Sequence, residues 1–209
     1  MAALDPAIGY VIKFHLGDDD ERERCEKERD VCEQLGKSKL ELLKFYGTTE
    51  HGILLDYAEH GPVREFLRQC PRPIAKTILI KWARQATEAL KFIQANGIYH
   101  GEVNCTNFFV DSNLNLKLGD FTSSANDSSV TVENLREDIL SLGGALYEMK
   151  TGHLSFPDLE EDEREQRLEA GEFPDVSGFI LESVILHCWN ESEFSEVPTA
   201  IDVAGRDIP

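Results

Sequence analysis

The sequence predicts an α+β fold in two unequal parts, and three observations predict it. Residues 1–60 carry short β-branched and aromatic runs around one polar helical stretch. From Pro62 onward, apolar residues recur at i, i+3 and i+4 over long stretches, the spacing of amphipathic helices. Between these patterns, residues 57–62 have the polar composition of a linker. Residues 1–60 are therefore expected to form a small strand-rich lobe, and residues 61–209 a helical lobe of the same domain. With 41% hydrophobic residues among 209, the chain can bury a sizeable core.

Residues 8–14 (IGYVIKF) are β-branched and aromatic, and predict a strand. The next stretch, GDDDERERCEKERDVCEQLG, predicts a helix. Asp18, Asp19 and Asp20 offer capping carboxylates, acids crowd the first turn, and Gly36 closes the end. Its thin stripe of Cys25, Val31, Cys32 and Leu35 places it on a surface. Strands are expected at residues 42–46 and 52–57, followed by a turn at 58–61. PVREFLRQC and AKTILIKWARQATEALKFIQANG predict two helices, the second closed by Gly97. Short strands at 108–110 and 116–118 flank a turn at 111–115. Residues 122–131 form a polar loop without a packing signal. Helices follow at 132–150, 158–170 and 179–189, with a last one near 199–204.

Charge narrows the function classes. The 39 acidic and 21 basic residues leave a net charge of −18, which repels phosphate backbones and anionic headgroups. Nucleic-acid and membrane partners are not expected; a protein partner is. No apolar run reaches the ~18–20 residues of a membrane span, and the N-terminal stretch has no secretory pattern. Five scattered cysteines without a CxxC pair fit a reducing cytosolic or nuclear compartment. The acidic runs at 18–28 and 160–165 read as solvated helix faces, and Trp189 as core.

The informative stretch is IYHGEVNCTNFFVDSNLNLKLGDF, residues 98–121. Two strands joined by a tight turn bring the residue before the first close to the residue after the second. Asn107 and Asp120 would then face each other, two hard oxygen ligands suited to Mg²⁺. Glu102 would point into the same cleft as a base or water-orienting group. The same trio also suits turn and capping chemistry, and the residues alone leave both readings open.

This stretch resembles the protein-kinase catalytic loop followed by the metal-binding Asp-Phe-Gly segment. Other ordered matches extend the resemblance over residues 10–203. Val11, Ile12 and Lys13 are similar to the strand carrying the phosphate-contacting lysine, and Glu28 sits where its helix partner would be. LLDYAEHG, residues 54–61, resembles the hinge; DILSLG, LYEM and Thr151-Gly152 resemble the central helix of the large lobe. His187, Cys188 and Trp189, with Pro198 and Thr199, resemble the closing helices. GEFPDV before the Cys-Trp pair also resembles short kinase-like proteins of filamentous fungi. The resemblance implies a bilobal kinase-like α+β fold with an abbreviated N-lobe and a short activation segment, and ATP with Mg²⁺ as cofactors. It implies catalytic roles for Lys13, Glu102 and Asn107, and metal binding by Asn107 and Asp120. Nucleotide contacts would come from Lys13, Glu28, Asp56, Ala58 and Phe109, the last beneath an adenine ring. His100 would hold the loop backbone, and Asp138 would cap it from below.

Five departures from the family pattern bear on function. Only twelve residues precede Lys13, with Gly9 their sole glycine, so a glycine-rich phosphate lid is expected to be absent or cut away. Glu102 replaces the usual Asp, moving the carboxylate on the order of 1 Å. Gly101 and Asn104 replace the usual Arg and Lys, removing a cation. Thr122 stands where Asp-Phe-Gly ends. Asp138 follows Asp120 by only 18 positions with no Ala-Pro-Glu between, and Val197 replaces the arginine that would pair with the missing glutamate. These coupled losses favour a pseudokinase acting through protein contacts. Two alternatives stay open: a working ATP-dependent protein kinase with Glu102 as base, and a small-molecule kinase of the aminoglycoside-phosphotransferase type, whose His-Gly-Asp loop His100-Gly101-Glu102 resembles.

Overall fold

The computed structural model describes residues 2–5, 9–14, 17, 19–36, 39–50, 52–70 and 73–190. The expected last helix near 199–204 lies outside them, as do Val197, Pro198 and Thr199. The chain has an α+β fold. Strands β1 (Ala2–Asp5), β2 (Tyr10–Phe14), β3 (Phe45–Thr49) and β4 (Gly52–Asp56) form an antiparallel sheet in the order β1-β2-β4-β3. Helix α1 (Asp19–Leu35) packs on it through Glu28, Val31, Cys32 and Leu35; of the expected stripe Cys25 is only half-buried, and the carboxylate of Glu28 is buried instead.

A second antiparallel sheet, β5-β6-β7, joins Gly61–Pro62, Phe108–Val110 and Leu116–Leu118. Around it lie α2 (Val63–Gln69), α3 (Lys76–Ala95), α4 (Val132–Thr151), α5 (Glu161–Glu169) and α6 (Glu182–Asn190). Helix α3 is the spine of this half: Trp82, Ala83, Ala86, Ala89, Leu90 and Ile93 have no exposed surface. Thr131 and Asn134 close a capping box that starts α4. Gly143 lets α4 approach α6, since a Cβ there would lie 2.6 Å from the Trp189 ring. Among the described residues, no helix is long and apolar enough to cross a membrane.

Several expectations need correction. The strand expected at 42–46 is split. Leu42 bridges Leu118 of β7, whose N–H and C=O bond Glu41 and Leu43, while β3 starts at Phe45. The run LLKFY is apolar enough for either sheet, and a bulge between Phe45 and Gly47 sets where the second begins. The chain before Lys13 is not a lone strand: β1 pairs with β2 from Ala2↔Lys13 to Asp5↔Tyr10, a hairpin that the short AALD run does not advertise. Helices α5 and α6 begin at Glu161 and Glu182, each three residues after the expected start. The preceding segments spend their N–H groups on turns, Leu159 to Phe156 and Phe179 to Val176.

Candidate functional site

The β6–β7 hairpin assembles the site. The Asp111 carboxylate accepts the N–H groups of Asn113 and Asn115 and the Asn115 side-chain amide, which fixes the tight turn. At the other end, the Gly119 N–H donates to the Asn107 carbonyl at 3.0 Å. Asn107 and Asp120 thus flank the open end of one hairpin, as the spacing predicts.

Lys13 reaches this end from β2. Its Nζ lies 2.8 Å from Glu28 Oε2 and 2.7 Å from Asp120 Oδ1, joining a strand, a helix and the segment after β7. Glu28, only 1% exposed, also accepts the Phe121 N–H at 3.2 Å. Burial by itself would lower the Lys13 pKa; the two carboxylates outweigh it and hold the ammonium above its ordinary value. Burial likewise pushes Asp120 up, but Lys13 and the Thr122 donors win and keep it below the usual range. Burial holds Glu28 above the usual carboxylate range, with Lys13 pulling the other way.

Asn107 donates its amide to the Glu102 carbonyl at 2.9 Å and, more distantly, to Oε2 of the same residue at 3.4 Å. Glu102 Oε1 accepts the Ser123 hydroxyl at 2.8 Å. Asn104, where the resemblance implies a lysine, turns its side-chain oxygen back onto the Thr106 N–H and hydroxyl. Asp56 ends β4 and accepts the Tyr46 hydroxyl at 3.3 Å; Ala58 is buried beyond it, and Phe109 is half-buried on β6 opposite Pro62 and Lys117. The structure therefore brings Lys13, Glu28 and Asp120 into one cluster and Glu102 and Asn107 into another beside it, while Asp56 ends β4, Ala58 follows it outside the strand and Phe109 is the middle residue of β6.

His100 and Asp138 lie beneath the loop. The Asp138 carboxylate accepts the His100 and Gly101 N–H groups at 2.8 and 3.0 Å. His100 Nδ1 accepts the Glu102 N–H, so its Nε2 carries the proton donated to the Gly119 carbonyl. Burial pushes the His100 imidazole down to about 4, so the stability carried by its neutral form is complete above about pH 6.5 and is lost as pH falls toward 4. Burial also pushes Asp138 up to about 6 despite its two donors, which makes an opposite contribution that fades as pH rises toward that value. The wild-type profile is therefore shallow. His100→Gln removes one arm, and from pH 8 to pH 5 its stability relative to wild type should rise by about 2 kcal/mol in urea unfolding. A constant difference would show that His100 takes up its proton equally in the folded and unfolded chain.

Three contributors escape the sequence reading. The hydroxyls of Thr122 and Ser123 bond the two cleft carboxylates, where the sequence suggested only a polar loop; a hydroxyl run directly after Asp120-Phe121 was the available signal. Arg64 grips the buried Glu148 through two bonds of 2.7 and 2.9 Å, tying α2 to α4. A glutamate inside the apolar face of LYEM was its only trace.

Asn107 and Asp120 offer hard oxygen donors, a chemistry that fits a divalent cation. Among the described residues no cluster of three or more His, Cys, Asp or Glu side chains suited to a metal occurs. A two-residue set suits a cation that takes its remaining ligands from phosphate and water.

Residues 11–134 match the family model described as protein tyrosine and serine/threonine kinase. The chain is 28% identical over 191 residues to mitogen-activated protein kinase kinase kinase 9 of Arabidopsis thaliana, covering 78% of this chain and 24% of that protein. It is 26% identical to mitogen-activated protein kinase kinase kinase 1 of the same plant, covering 78% and 31%. Over 118 residues it is 30% identical to serine/threonine-protein kinase Nek3 of Oryza sativa subsp. japonica, covering 46% and 20%. The chain thus spans about a quarter of the length of these relatives.

Proposed function

The chain belongs to the protein tyrosine and serine/threonine kinase family, and on that premise we propose that it is a pseudokinase, a kinase-like module that acts by binding other proteins. One observation carries this reading. The connection from Asp120 to α4 runs straight across the catalytic loop: Tyr99 and Ala125 exchange two backbone bonds of 2.9 Å, and Thr131 already caps α4. Residues 122–131 have no length left to form a ledge for a peptide. Phosphoryl transfer depends on positioning and charge neutralisation, and here the loop cation is absent while Asn104 is spent within its own loop.

The family uses ATP and Mg²⁺, and a bound magnesium nucleotide supplies phosphate and charge neutralisation. In this chain Asn107 and Asp120 would hold the cation and Lys13, oriented by Glu28, would meet phosphate. The intact Lys13–Glu28 pair favours a second reading, an active protein kinase with Glu102 as base.

A radiolabelled-ATP assay separates the two. Wild type, Glu102→Asp and Asp120→Ala are compared on generic protein substrates and on the chain itself. The expected outcome is no labelling above background for any of them, including Glu102→Asp, which repairs only the base. Asp120-dependent labelling by wild type would reject the pseudokinase. Retention of nucleotide is read separately, as a rise in melting temperature with ATP and Mg²⁺.

A further inference from the structure

Two consecutive hydroxyls close on the two carboxylates of the cleft. Thr122 Oγ1 donates to Asp120 Oδ1 at 2.7 Å, and the Thr122 N–H approaches the same oxygen at 3.5 Å. Ser123 Oγ donates to Glu102 Oε1 at 2.8 Å. We infer that Thr122-Ser123 is a built-in hydroxyl clamp on Asp120 and Glu102, and that its Thr122 arm competes with a cation for Asp120 and thereby sets the affinity of the cleft for metal-bound nucleotide. The inference rests on the kinase-like reading of the cleft and adds its regulation.

The backbone makes the clamp possible. The Ser124 N–H returns to the Phe121 carbonyl at 3.2 Å, closing a turn over residues 121–124. Ser124 is buried and its hydroxyl donates to the His100 carbonyl; the next residue, Ala125, is locked to Tyr99. The clamp thus stands on a fixed base joined to the catalytic loop. Asp120 is itself left-handed, at φ 61°, which aims Oδ1 back at the residues that follow.

A carboxylate oxygen has two principal lone-pair directions. On Asp120 Oδ1 these are taken by Lys13 Nζ and by the Thr122 hydroxyl, both at 2.7 Å. A cation drawing on that oxygen must displace a donor. Glycine at position 122 would offer no side-chain donor, so the departure at this position installs a competitor as well as removing a flexible residue. Ser123 takes one acceptor direction of Glu102 Oε1, the carboxylate that a substrate hydroxyl would approach. A hydrogen bond to a charged group is worth about tenfold or more, so releasing the Thr122 hydroxyl from Asp120 should tighten metal-nucleotide binding by about tenfold.

Isothermal titration calorimetry of the full chain with ATP, in MgCl₂ and separately in EDTA, tests this. Thr122→Val with Ser123→Ala removes both hydroxyls at nearly constant volume; Thr122→Ser with Ser123→Thr keeps both. The first pair is expected to bind about tenfold tighter than wild type in MgCl₂ only, and the second to stay within about threefold of wild type. Unchanged or weaker binding by the first pair, undetectable binding by both it and wild type, or equal tightening in EDTA would overturn the clamp. If Thr122→Val does not fold by circular dichroism, Thr122→Ala, which removes the same hydroxyl from Asp120, is expected to gain about tenfold, and no gain overturns it. Failure of the pseudokinase reading appears instead as phosphotransfer by wild type, whatever the affinities.

Discussion

Replacing Lys13 with methionine is expected to lower the unfolding free energy by about 3–5 kcal/mol at neutral pH. The methionine keeps the apolar stem and removes the charge. Asp120, with 34% of its side chain exposed, can turn to water, but Glu28 at 1% cannot. Its carboxylate is left in the interior with one N–H donor, from Phe121. A buried charge without its partner costs far more than the intact pair contributes. Two further measurements identify the cause. Lys13→Met with Glu28→Gln should recover much of the loss, because it removes the stranded charge. The deficit of Lys13→Met should also shrink as pH falls and Glu28 takes up a proton. A loss below about 1 kcal/mol, insensitive to pH, would mean that Glu28 finds another route to solvent.

Gly101→Arg, which restores the residue that the family resemblance implies, is expected to destabilise the chain by about 2–4 kcal/mol. Gly101 has φ 82°, where an L side chain is strained, and a Cβ there would lie 2.7 Å from the Ser123 carbonyl oxygen. That oxygen belongs to backbone and cannot swing aside, since Ala125 two residues on is held to Tyr99 by a pair of bonds. Most of the penalty lies in the Cβ, so Gly101→Ala should show nearly all of it in denaturant unfolding. Wild-type stability for Gly101→Arg would mean that the loop relaxes freely. The expected result makes the missing arginine a property of the backbone: one substitution does not bring the cation back.

Much of the fold was legible because local pattern and tertiary environment agree. The amphipathic period of AKTILIKWARQATEALKFIQ yields α3 nearly end to end, and β6 and β7 occupy the expected residues because Asp111 and Asn115 encode their turn locally. The carboxylate–amide–carboxylate spacing around that hairpin placed Asn107 beside Asp120 for the same reason. The misplacements share a cause too. LLKFY and GP become strands or bridges through partners far along the chain, and AALD through a hairpin with β2; no local signal carries a partner's position.

The sequence by itself determined the α+β class, most of the helices and the hairpin with Asn107 and Asp120 at its open end, and it offered Lys13, Glu28, Glu102 and Asp138 as candidates beside them, since each depends on short-range periodicity or on a motif of fixed spacing. Only the tertiary structure decided how those groups are used. Lys13 binds two carboxylates at once because β2, α1 and the end of β7 converge on it. Thr122 and Ser123 became ligands of Asp120 and Glu102 because the Tyr99–Ala125 pair folds their segment back across the loop. Such bonds, at 2.7–2.8 Å between groups up to 107 residues apart, depend on where the backbone returns, which a one-dimensional pattern does not contain.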